Sequence, residues 1–108
     1  MKLNEYQDKA MSSAFFTGDD KLAYSALGLT GEAGEFADQV KKKMRDDANI
    51  LMPERKELLK KELGDVLWYL SCAAHQLELT LEEVAICNLE KIKDRKNRNK
   101  LRGSGNNR

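Results

Sequence analysis

A chain of 108 residues with 41% apolar and 34% charged residues has the length and composition of one soluble globular domain. Its net charge of +1 is a sum of opposed parts, because residues 1–90 hold 11 Lys/Arg against 17 Asp/Glu while residues 91–108 hold 8 Lys/Arg against a single acid. No run approaches the roughly 18 apolar residues of a membrane span, nothing near Met1 reads as an export signal, and one histidine, His75, excludes an H-E-x-x-H zinc site and argues against a Ser-His-Asp triad.

With one proline and no long alternating run, the chain reads as helices. The first is expected from about Asn4 to Phe16, with Leu3, Tyr6, Ala10 and Ala14 inward, Asn4 as its cap, and Thr17-Gly18-Asp19-Asp20 ending it. The second spans about Lys21 to Arg45, with Leu22, Ala26, Leu29, Ala33, Phe36, Val40 and Met44 as its apolar stripe. Pro53 suits the first turn of a third helix, which carries Leu59, Leu63, Val66, Leu70, Ala73 and Leu77. Thr80-Leu81-Glu82-Glu83 is a capping box, with Leu79 and Val84 as a hydrophobic staple, and it opens a fourth helix with Leu81, Ala85, Leu89 and Ile92 inward.

After about Lys100 the pattern dissolves. A helical domain over residues 1–102 and a Gly/Asn-rich tail over 103–108 are therefore expected. Short connections imply an all-α antiparallel four-helix bundle. So short a chain builds a modest core, which points to self-association. Cys72 and Cys87 lack C-x-x-C spacing and read as reduced core thiols in a cytoplasmic protein.

The acids carry the chemistry. At about 100° per residue, Glu32 and Glu35 are neighbours on one flank of the second helix, and neither has a Lys or Arg four residues on. Glu62, Asp65 and Tyr69 form a similar row at the margin of the third helix's stripe. A carboxylate beside an apolar face is costly unless a cation pairs with it. Two such helices side by side would direct four carboxylates at one point, a donor set suited to Mg²⁺ with substrate phosphates. Gly28, Gly31 and Gly34 leave room for close approach beside these acids, or else break the helix. On the fourth helix, Asn88, Lys91 and Arg95 form a row that can meet phosphate, with Tyr69 and Asn88 as hydrogen-bonding neighbours, and Tyr24 is the preferred aromatic for stacking.

Gly31-Glu32-Ala33-Gly34-Glu35, followed after a spacer of 26 residues by Glu62-Leu63-Gly64-Asp65-Val66-Leu67-Trp68-Tyr69, resembles the MazG-like nucleotide pyrophosphohydrolases. The likeness continues through Leu79-Thr80-Leu81-Glu82-Glu83-Val84-Ala85 and Asn88-Leu89-Glu90-Lys91. It implies the all-α fold of that family as a homodimer or a dimer of dimers (a homotetramer). It further implies Mg²⁺ dependence, with Mn²⁺ able to substitute, and hydrolysis of nucleoside triphosphates at the α–β phosphate bond. Glu32, Glu35, Glu62 and Asp65 take the metal-ligand positions, and one of these acids, here assigned as Glu35, would orient or deprotonate the attacking water. The ending Gly103-Ser104-Gly105-Asn106-Asn107-Arg108 resembles a G-S-G-D-N-R ending of phage-type members, with Asn106 in place of Asp. A phage origin would place the protein in the host cytoplasm. Two other readings stand beside this one: a phosphoribosyl-ATP pyrophosphohydrolase, and a non-catalytic helical module whose basic tail binds nucleic acid. The tail lacks a recognition helix or stacking platform, so neither nucleic acid nor a membrane is the expected partner.

Overall fold

A computed structural model describes residues 1–16, 18–99 and 101–108. Thr17, expected to help end the first helix, and Lys100, expected at the end of the fourth, lie outside the described residues. The fold is all-α: α1 (Leu3–Ser12), α2 (Lys21–Asp46), α3 (Pro53–Gln76) and α4 (Leu81–Asn97), with no strand among the described residues. None of these helices is long and apolar enough to cross a membrane.

Asp20 caps α2 by accepting from the Ala23 N–H at 2.9 Å, and the helix runs unbroken through its three glycines. Residues 47–52 reverse the chain, Arg55 bridges the turn by an ion pair to Asp47 at 2.9 Å and a hydrogen bond to Gln39 at 2.7 Å, and Pro53 opens α3. The antiparallel α2–α3 hairpin is the body of the molecule.

Helix α1 is shorter than the periodicity predicts. Ser12 and Ser13 hydroxyls donate to the Lys9 and Ala10 carbonyls at 2.6 and 3.0 Å, competing with the helical ladder. Phe16 then lies outside the helix, against Trp68 and Tyr24. Asn4 does not cap α1. It sits inside the first turn, and its Oδ1 accepts from the Glu82 N–H at 3.0 Å, so it caps α4 from a distance. The neighbouring Gln7 is buried, donating to the Ser71 and Leu79 carbonyls at 3.3 and 3.0 Å and accepting from the Leu81 N–H at 3.0 Å. Thr80 completes the cap by accepting from the Glu83 N–H at 3.1 Å, one half of the expected capping box.

The four helices do not close into a bundle within one chain. Helix α2 packs on α3 alone, α1 packs on α3 and α4, and α4 touches α3 only sparsely. The radius of gyration, 16.7 Å, exceeds the ~13 Å of a compact chain this long. Several stripe residues expected inside are therefore open: Leu22, Met44, Leu63, Leu77, Leu89 and Ile92 are exposed, Leu89 by 66%. Ala26 and Ala33 are exposed as well. The stripes are real, but a single chain supplies no second surface for them.

The cysteines are unpaired and unequal, since Cys72 is fully buried and Cys87, expected in the core, is exposed. Burial pushes the Cys72 thiol up to about 11, keeping it protonated at neutral pH. A disulfide-exchange reagent should accordingly titrate one thiol quickly in the native protein and the second only after denaturation.

Candidate metal centre and its surroundings

The helical hairpin places Glu32 of α2 against Glu62 and Asp65 of α3. One carboxylate oxygen from each lies within 4.8 Å of the other two. Oxygens sharing one hard cation at about 2.0–2.5 Å must lie within roughly twice that distance of each other, so the donor set fits Mg²⁺, Mn²⁺ or Ca²⁺. Among the described residues no Lys or Arg forms an ion pair with any of the three. Partial burial pushes the Glu32 carboxyl up from its ordinary range, and the charges of Asp65, Glu62 and Glu35 and a hydrogen bond with Glu62 push the same way. Three clustered carboxylates with no cation repel one another, and a divalent ion would relieve that repulsion.

Glu35 is exposed and does not join the close trio, although its charge reaches Glu32. Open space surrounds its neighbours, because a Cβ added at Gly31 or Gly34 would meet nothing within 4 Å. Gly28 is different: a Cβ there would overlap the Tyr69 ring. Gly28→Ala is expected to destabilise the fold, since roughly 1–3 kcal/mol of overpacking outweighs the about 1 kcal/mol of helix propensity gained. Urea denaturation with near-ultraviolet circular dichroism would show both the loss and the displaced ring.

Aromatic rings continue from the acids. Tyr69 meets Trp68 edge-on at 5.0 Å, Trp68 stacks on Phe16 at 6.5 Å, and Phe16 meets Tyr24 edge-on at 5.5 Å. Burial raises the Tyr69 phenol, with the fields of Tyr24, Glu32, Cys72 and Asp65 adding to it. Tyr24 and Tyr69, expected beside the substrate, thus belong to one aromatic row beside Glu32. Tyr6 was read only as a core residue of α1. Burial raises its phenol first, and the fields of Cys72 and Asp65 reach it as well. No signal within α1 marks this, because it follows from how α1 docks on α3.

The α4 row is not brought to the acids within one chain. Asn88 lines an open groove with Leu3, Leu67 and Leu70, and Leu67 and Leu70 lie about 80–160° around α3 from Glu62 and Asp65. Lys91 and Arg95 instead hold the tail: Lys91 Nζ donates to Asn106 Oδ1 at 3.2 Å, and an Arg95 guanidinium nitrogen donates to the Asn106 main-chain oxygen at 3.0 Å.

The model of the MazG nucleotide pyrophosphohydrolase domain matches residues 22–99, from the first turn of α2 to just past α4, a span that includes all four acids and the α4 row. The gene 37 protein of Mycobacterium phage L5 is 40% identical, and the match covers the whole of both chains. No solved structure matches.

Proposed function

Because the chain belongs to the MazG nucleotide pyrophosphohydrolase family, we propose that it hydrolyses ribo- or deoxyribonucleoside triphosphates between the α- and β-phosphates. Water adds across that bond, and a nucleoside monophosphate and pyrophosphate leave. The observation that carries this reading is the uncompensated trio of Glu32, Glu62 and Asp65.

The trio would hold Mg²⁺, with Mn²⁺ able to replace it. When bound, the ion supplies charge neutralisation and polarisation of the phosphates. A triphosphate brings about four negative charges that bare carboxylates would repel. Glu35, exposed one turn along α2, is suited to accept a proton from the attacking water or to orient it. The aromatic row through Tyr24 and Tyr69 offers a stacking surface for the base, beside Glu32.

Asn88, Lys91 and Arg95 are the phosphate contacts in this reading. Their position on α4, away from the acids of the same chain, is met if a second copy of the chain brings its α4 to the acids. The exposed apolar residues of α2, α3 and α4 would be covered in such a homodimer or dimer of dimers. The reaction would take place in the cytoplasm, that of the host if the gene is phage-borne.

The test is a panel of ribo- and deoxyribonucleoside triphosphates, with phosphoribosyl-ATP included, incubated with Mg²⁺ and resolved by product. Pyrophosphate with a monophosphate is expected. Release of orthophosphate alone, or no turnover of any member, would overturn the reading.

A further inference from the structure

We propose that residues 101–108 form a strap that competes with oligophosphate for Lys91 and Arg95, so that the empty protein is held in a self-occluded state and substrate phosphate displaces the strap. The proposal deepens the function above and rests on its reading of Lys91 and Arg95 as phosphate contacts.

Lys91 and Arg95 stand one helical turn apart on α4, and both donate to the same tail residue, Asn106. Asn106 is neutral, so each cation is satisfied by a dipole rather than by a charge. The only acid in residues 91–108 is Asp94, which pairs with Arg98 at 2.8 Å. Among the described residues neither Lys91 nor Arg95 has a carboxylate partner.

Arg95 is the telling member. It is 6% exposed, and among the described residues its buried Nε has no acceptor. A desolvated guanidinium with an unfilled donor is costly, and the fork of Nε and a terminal nitrogen suits two oxygens of one phosphate. Bonds from a guanidinium to an anion are roughly twice as strong as those to a neutral carbonyl. Phosphate therefore offers Arg95 both the missing acceptor and the missing charge, at the nitrogen that Asn106 now occupies.

The strap is also built to move as a piece. Arg108 donates to the Gly105 and Leu101 carbonyls at 2.7 and 3.2 Å, closing the segment on itself. Gly103 and Gly105 take φ of +135° and +81°, backbone conformations that favour glycine. Beyond Asn106, a hydrogen bond from Arg98 to the Arg108 oxygen at 2.7 Å ties the segment to the end of α4.

The test uses the full chain and inorganic tripolyphosphate without divalent cations, followed by calorimetry and by ¹⁵N relaxation of the 101–108 amides. Tripolyphosphate should bind and the tail amides should gain fast motion as it does. Asn106→Ala, which loosens the strap, should tighten binding about threefold. Asn106→Asp, which gives the strap a charge, should weaken binding about fivefold. Binding that leaves the tail amides unchanged, or an Asn106→Asp protein that binds as tightly as the parent, would overturn the strap. Absence of tripolyphosphate binding would overturn it too, while pyrophosphate release from nucleotides in the same sample would leave the hydrolase reading standing. Tail release by tripolyphosphate in a protein that turns over no nucleotide would do the reverse.

Discussion

Glu62→Gln should abolish divalent-cation binding and lower turnover by at least about a thousandfold, a barrier increase of about 4 kcal/mol. The substitution keeps the shape of the side chain and removes one of the three charges that converge within 4.8 Å. It should also make the metal-free fold slightly more stable, because Glu32 loses a repelling neighbour. Activity and stability would thus move in opposite directions, which a merely misfolded variant cannot reproduce. Glu35→Gln separates the roles. Lying outside the trio, it should retain Mn²⁺ affinity in calorimetry to within a few-fold yet lose turnover. Full activity in either variant would remove the assignment of these acids.

Gln7→Ala should be the most damaging substitution away from the acids, destabilising the fold by about 2–4 kcal/mol. Three hydrogen bonds converge on that one buried side chain, and the alanine leaves the N–H of Leu81, itself buried, without its acceptor. The melting temperature should fall by about 10 °C or more. Gln7→Glu is the sharper control, since it preserves the acceptor for Leu81 but loses the amide donor to Leu79 and Ser71. A drop of less than about 1 kcal/mol in Gln7→Ala would show that α1 does not hold α4 in place.

What could be read in the sequence divides along the same line. Glu32 with Glu35, and Glu62 with Asp65, each lie three residues apart on one helix, and helical geometry alone makes each pair neighbours. The starts of α3 and α4 were legible for the same reason, since Pro53 and Thr80 act within a few residues of themselves. Gln7 was not legible, because its partners lie 64 to 74 residues away and a glutamine inside a helix carries no mark of such a role. Tyr6 and Asn4 fall in the same class, since their roles depend on docking α1. The apolar stripes were legible, whereas the single-chain bundle they implied does not close. Periodicity says which face is apolar and is silent on whether the same chain covers it. Glu35 marks the limit at the site itself: spacing makes it a neighbour of Glu32, yet it lies outside the close trio.

The openness of the hairpin bears on how the fold survives dilution. Among the described residues the buried apolar side chains are Ala10, Cys72, Ala74 and Leu81, none of them aromatic and only one of them large. If a second copy covers the exposed stripes, unfolding and dissociation become one event, and mass action enters the stability directly. Each tenfold dilution then removes about 1.4 kcal/mol. The molecule would be sturdy where its gene is strongly expressed and fragile where it is scarce, so its abundance would set its lifetime as well as its activity.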